Sequence, residues 1–287
     1  MKTIKQKAPA KINLTLEIVK KLPNGYHELR TVMTKLESIF DEVTIKFYPD
    51  KSGIKIRSNS KKIPLDESNI CHKAAEKYFS KIGKEIGIVI EIKKNIPIGA
   101  GLGGGSSDGA AVLKILNKYF KNKISGKELE AMASEVGKDV PIFLSPKNSA
   151  FLDRMGDRIK KNADLSGLNF VIVNPEIHIS TPWAFGEMHK YNNLGNKGIS
   201  VKMFRYVQEK NTDKIINGLY NHFEPVIEKK YPIIKEIKNK LTEAGASGAL
   251  MTGSGSTVFG IFKSKKDALK AKVIMKKHYP KFFVEVG

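Results

Sequence analysis

Residues 97–108 read PIGAGLGGGSSD, with glycines at 99, 101, 103, 104 and 105 ahead of Ser106, Ser107 and Asp108. Glycine adopts backbone angles that a Cβ forbids, so such a loop can turn several N–H groups toward one point. Free N–H groups and the positive end of a following helix make an anion site. The chemistry this suits is the holding of phosphate. The candidate phosphate-binding residues are Pro97, Ile98, Gly99, Ala100, Gly101, Leu102, Gly103, Gly104, Gly105, Ser106 and Ser107. A P-loop would end in Gly-Lys-Ser/Thr, and no lysine stands there. Gly99, Gly101 and Gly104 formally satisfy the dinucleotide fingerprint. Residues 95–97, however, separate them from the preceding strand, and Glu128 lies in a predicted helix rather than where the ribose acid belongs. A plain flexible loop would not carry Ile98 and Leu102 between its glycines and a helix cap at its end. A nucleoside-triphosphate site other than a P-loop is the reading that fits.

Three further places hold residue types that could do chemistry. From position 11 the chain alternates strictly, so Lys11, Asn13, Thr15 and Glu17 share one strand face. Lys11 and Asn13 together could hold a substrate oxygen; the alternative is the solvent face of an edge strand. Asn24-Gly25 signals a tight turn that presents Tyr26 and His27. Asp139, in KDVPIF, follows a helix end and precedes a proline, so its carboxylate is either held for chemistry or spent on local backbone donors.

The elements around these residues follow from periodicity. Residues 86–93 (IGIVIEIK) read as a strand leading into the loop. Val112, Ile115, Leu116 and Tyr119 give a helix over 109–120, which Ser106, Ser107 or Asp108 can cap. Residues 31–39 and 42–47 are strand patterns, 51–62 a hairpin and loop, and 69–81 a helix. Residues 125–136 form a second helix with a capping box, Ser125 and Glu128, and Gly137 as its stop. Strands are expected at 168–174 and 281–286, with a strand, small-residue turn and strand over 249–262. Residues 200–244 are largely helical, broken near 211, 224 and 231–232, and 265–277 is an amphipathic helix. Mixed elements at this length indicate α+β architecture in two domains, 1–158 and 159–287.

Composition narrows the class. The chain has 287 residues, 41% of them hydrophobic, enough for packed cores. No apolar run is long enough for a membrane span, and the N-terminus lacks a secretory apolar core. One cysteine, Cys71, excludes an internal disulfide and a cysteine-rich zinc site and fits a reducing cytosol. The net charge of +21 suits either a nucleic-acid surface or a solvated lysine shell that favours anionic small molecules. The lysines lack aromatic interleaving or an RNA-binding signature, so the shell is preferred.

Three motifs stand in one order: PAKINL, PIGAGLGGGSSD and MTGSGSTVF. In this the chain resembles the superfamily of galactokinase, homoserine kinase, mevalonate kinase and phosphomevalonate kinase. NGYHEL, KDVPIFL and TPWAF resemble, more narrowly, a branch that phosphorylates a hydroxyl of a cytidine diphosphate ester on the non-mevalonate route to isoprenoids. The resemblance implies a two-domain small-molecule kinase fold. Its N-terminal domain would be like ribosomal protein S5 domain 2 and its C-terminal domain ferredoxin-like. It implies ATP and Mg²⁺, Lys11 and Asp139 as the catalytic pair, and Asn69 and Lys94 beside adenine. It implies Asn13, Tyr26, His27, Thr181 and Phe185 around the cytidine substrate, the aromatic rings sandwiching the base and the histidine reading its edge. Gly253, Ser254 and Gly255 would help close the site. Trp183 stands where the family has a smaller residue. The alternatives are another kinase of the superfamily and, more remotely, an RNA-binding protein.

Overall fold

The alternation at 11–18 extends both ways. In the computed structural model, which describes residues 2–188, 195 and 197–287, strand β1 runs Lys2–Lys21. Gly25, at φ +83°, turns the chain, its N–H donating to Leu22 O at 3.0 Å. β2 follows as His27–Tyr48, one strand where the pattern showed two. The interruption in the pattern is Asp41, an acid buried inside the strand.

Contacts divide the chain into two compact units. The first holds Met1–Ala10, Phe40–Ile98 and Gly103–Ser145; the second holds Lys11–Ile39, Gly99–Leu102 and Pro146–Gly287. The units therefore interleave along the sequence, and β1 and β2 each contribute one end to either.

In the first unit β3 (Ile54–Ser58), α1 (Ile70–Ile82), β4 (Gly87–Lys93), α2 (Gly104–Tyr119), α3 (Gly126–Val136) and α4 (Val140–Leu144) follow. Strands run in the order β3-β4-β2-β1. β4 is antiparallel to β2, Ile90 facing Ile45, and parallel to β3, Ile90 facing Ile56. The hairpin expected over 51–62 is therefore absent. β3 joins β4 through α1, because parallel strands need a crossover. Phe47, Tyr78, Ile90, Leu113 and Leu116 fill the core. α3 carries the expected capping box. Gly137 does not end it in the left-handed form; its φ of −178° is extended backbone. What that position lacks is room, since a Cβ would lie 3.1 Å from Ile70 Cδ1.

The second unit adds β5 (Ser149–Asp153), β6 (Arg158–Ala163), β7 (Asn169–Asn174), α5 (Thr181–Met188), α6 (Ile199–Gln208), α7 (Thr212–Asn217), β8 (Tyr220–Asn221), α8 (Glu224–Lys230), α9 (Ile233–Glu243), β9 (Gly248–Met251), β10 (Val258–Phe262), α10 (Lys265–His278) and β11 (Phe283–Val286). β5 lies antiparallel to the first half of β2, and β8 parallel to β1. Four strands form an antiparallel sheet ordered β11-β7-β10-β9, that is fourth, first, third and second along the chain. This is the ferredoxin-like order. Val171, Val173, Ile237, Leu241, Phe262 and Met275 belong to its apolar core. Among the described residues no helix is long and apolar enough to cross a membrane.

Candidate active site

The polar face of β1 is not a solvent face. Lys11, Asn13, Thr15 and Glu17 are all buried, Lys11 at 3% exposure. Buried polar atoms need partners, and these form a seam within the second unit. Lys11 Nζ donates to Asn13 Oδ1 at 2.9 Å, and Asn13 Nδ2 donates to Thr31 Oγ1 at 2.8 Å. Thr252 Oγ1 accepts from Asn13 N at 2.9 Å and donates to Asn13 Oδ1 at 3.1 Å. Farther along, Glu17 accepts from Lys197 N and Ser200 N ahead of and within α6. Asn13 thus fixes the lysine ammonium and ties it to the third glycine motif.

The same motif holds the middle of the 97–108 loop. Lys11 N donates to Leu102 O at 2.9 Å, and Thr257 Oγ1 donates to Ala100 O at 2.6 Å. Between them Gly101 sits at φ +77°, and a Cβ there would come within 2.7 Å of Thr252 O. Only glycine meets both conditions. Asn221 Nδ2 donates to Met251 O and Gly253 O, at 2.7 and 2.8 Å, and so shapes the turn from below. Sequence reasoning missed Asn221, Thr31 and Thr252. Asn221 lies in a two-residue strand with no pattern to flag it.

The residues expected around the substrate form a chain of contacts in this unit. Ser254 Oγ and Thr181 Oγ1 are 2.8 Å apart. Thr181 and Phe185, four apart on α5, share a face. Phe185 stacks on His27, ring centres 4.5 Å apart at 15°, and meets Phe223 edge-on at 4.8 Å. The histidine expected at the edge of the base therefore lies flat against one of the rings expected on its face. Tyr26 stands 59% exposed, presenting an open ring face. Trp183 points elsewhere: it meets Tyr231 edge-on, with Lys230 Nζ 3.9 Å over its ring. Two residues from Thr181 and from Phe185, it occupies the opposite side of the helix.

In the first unit the loop becomes α2 five residues earlier than periodicity suggests. Gly103, at φ +69°, is its N-cap, with no side-chain cap bond. Ser106, Ser107 and Asp108 are good cap types, yet the left-handed turn at Gly103 starts the helix ahead of them. The first N–H groups of α2 consequently carry no side-chain oxygen, the arrangement that receives an anion. Ser107 Oγ and Asp108 Oδ1 are buried and make no hydrogen bond. Lys94 Nζ donates to Asp41 and, at 2.6 Å, to Asp108. Burial lowers the affinity of Lys94 for its proton, but Asp108 and Asp41 outweigh this and hold it above the ordinary lysine value. Asn69 caps α1, its Oδ1 accepting from Cys71 N at 2.8 Å and its Nδ2 donating to Pro64 O at 2.6 Å. Asp139 heads α4, half-buried, and does not cap it. Among the described residues no group of three His, Cys, Asp or Glu side chains is arranged to hold a metal.

A buried lysine on β1 and a third glycine turn in the second unit, and an uncapped helix behind a glycine loop in the first, accord with a small-molecule kinase. The GHMP kinases N terminal domain matches residues 69–147, and the GHMP kinases C terminal domain matches 203–281. The 4-diphosphocytidyl-2-C-methyl-D-erythritol kinase of Acetivibrio thermocellus is 36% identical, covering 94% of either chain. The enzyme of that name from Geobacter sp. strain M21 is 39% identical, again over 94% of each. A solved 4-(cytidine 5'-diphospho)-2C-methyl-D-erythritol kinase superposes with a TM-score of 0.81 at 28% identity, covering 99% of this chain and 98% of that one. The homoserine kinase of Cytophaga hutchinsonii gives 0.81 at 22% identity, covering 100% and 94%, a likeness of fold. The chain belongs to the GHMP kinases and, among them, to the 4-diphosphocytidyl-2-C-methyl-D-erythritol kinase family.

Proposed function

We propose that this chain transfers a phosphoryl group from ATP to the 2-hydroxyl of 4-diphosphocytidyl-2-C-methyl-D-erythritol, a step of the non-mevalonate isoprenoid route. The observation that carries this reading is the tie between β1 and the two glycine motifs: Lys11 N on Leu102 O, Gly101 against Thr252, and Asn13 holding Lys11 and Thr252 together. It backs a phosphate loop with a buried, oriented ammonium.

Phosphoryl transfer needs positioning, charge neutralisation and a proton acceptor. Loop N–H groups and the uncapped start of α2 take the phosphates. Lys11 meets charge that builds on the reacting oxygens. Asp139 accepts the alcohol proton, a contribution of roughly 10²–10⁴-fold. Asn13, Thr181, His27, Phe185 and the open ring of Tyr26 receive the cytidine substrate, aromatic faces taking its base. Gly253, Ser254 and Gly255 enclose the phosphates. Lys94 retains one N–H beyond its two carboxylates, and Asn69 one N–H and one lone pair, for adenine. Ser107 Oγ, buried without a partner, fits Mg²⁺. Mg²⁺, when bound, neutralises phosphate charge with few protein ligands. Residues 1–158 would form the domain of the phosphate loop, and 159–287 the domain of Thr181, Phe185 and the third motif. A single free cysteine, Cys71, suits the cytoplasm.

The test offers the purified chain radiolabelled ATP with the cytidine compound, homoserine or mevalonate. Label is expected in the cytidine compound alone. Transfer to homoserine or mevalonate in its place would overturn the acceptor, and RNA binding without any transfer would overturn the kinase reading.

A further inference from the structure

Two acids and a lysine, all buried, lie where the chain enters and leaves the glycine loop, within the first unit. Asp41 is fully buried in β2, Asp108 is buried early in α2, and the Lys94 side chain is 6% exposed just after β4. Lys94 Nζ bridges the two carboxylates. The second oxygen of Asp41 accepts from Asn95 N at 2.5 Å and Ile96 N at 2.8 Å, the last backbone before Pro97. Asn95 Nδ2 returns to Phe40 O at 2.9 Å. Gly104, which opens α2, lies so near that a Cβ would be 3.2 Å from Asp41 Oδ2. Ionisable groups out of water are costly to keep, and apolar residues of the same volume often serve stability as well or better. Their geometry supplies something an apolar trio cannot: directed bonds to both ends of one loop.

We propose that Asp41 is a positioning residue for the nucleotide, fixing the entry of the loop through Asn95 and Ile96 and the start of α2 through Lys94 and Asp108. The inference rests on the reading of 97–107 as the phosphate site. Asp41 touches no reacting atom in this scheme. It sets where the loop N–H groups point before the phosphates arrive, so its removal costs binding of the phosphates and leaves the acceptor's KM unchanged.

The decisive variant is Asp41→Asn, which keeps an oxygen for the two N–H groups and loses the charge facing Lys94. Inorganic tripolyphosphate and a non-hydrolysable ATP analogue are titrated calorimetrically into wild type and variant, with melting temperatures recorded alongside. Both ligands are expected to weaken, tripolyphosphate by roughly 10–100-fold as for loss of a charged hydrogen bond and the ATP analogue by at least as much, since Lys94 also meets adenine. Loss confined to the ATP analogue would mean that the trio serves the base, and would overturn the inference. A lowered melting temperature with unchanged affinities would reduce Asp41 to a structural role and overturn it too. Should Asp41→Asn not fold, Asp108→Asn, which leaves the Asp41–Lys94 pair, is expected to show the same shared but smaller loss, and equal affinities would sink the idea. If wild type itself does not bind tripolyphosphate in competition with ATP, the phosphate-site reading fails first.

Discussion

Asp139 heads α4 with backbone angles of −87° and −4°, and its carboxylate does not serve the helix it precedes. The two uses the sequence left open for it, chemistry or local backbone donors, are separated by mutation. Asp139→Asn keeps the shape and cannot take a proton. Turnover is expected to fall by roughly 10²–10⁴-fold with the melting temperature unchanged; near-normal turnover would take Asp139 out of the role proposed for it. Lys11 shows the complementary lesson. Its type and period-two spacing from Asn13 were readable in the chain. That both are buried was not, because alternation tells which residues share a face and never what covers that face. The covering residues, Thr31, Thr252 and Ser200, are brought in from elsewhere in the chain.

Elements were legible in type and less so at their ends. α1 and α3 begin where Asn69 and Ser125 announce them. α2 does not obey its serines, since a glycine in the left-handed region starts it sooner. The tertiary reason for the glycines is equally hidden from local sequence. Gly101 and Gly126 look alike on the page, yet a Cβ on Gly101 would strike Thr252 O whereas one on Gly126 would meet nothing within 4 Å. Gly101→Ala is expected to cost about 1–3 kcal/mol in backbone strain alone, with further loss from the clash and abolished ATP binding. Gly126→Ala, inside α3, is expected to stabilise by about 0.4–1 kcal/mol. Denaturant titration of the two variants checks the contrast, and equal effects would contradict it. Asp41 was unreadable for a related cause: it fell in the gap between two apparent strands, and its partners lie some fifty positions on at Lys94, Asn95 and Ile96.

For the molecule as a whole, stability carries an acid signature at Asp108. Asp41 has two backbone N–H donors besides Lys94, whereas Asp108 has an oxygen without a partner. Burial pushes Asp108 up to about 7 from an ordinary 3.8, Lys94 pulling it down and Asp41 pushing it up in turn. The folded chain thus binds this proton more tightly than the unfolded one. The stabilisation is complete below the ordinary value and is lost as pH rises toward about 7. Unfolding midpoints measured across that range are expected to decline for wild type, and the decline is expected to flatten in Asp108→Asn; an identical slope in both would contradict the assignment. The two long strands have a different consequence, one of timing. The first unit is complete once Ser145 has been made. Asn13 and Thr252 stand 239 positions apart. On the ribosome, Lys11 has its partners Asn13 and Leu102 early, but Asn13 must wait for Thr252 to emerge. Closing so wide a span is entropically slow, and the seam between Asn13 and Thr252 comes together after the first unit can already have folded.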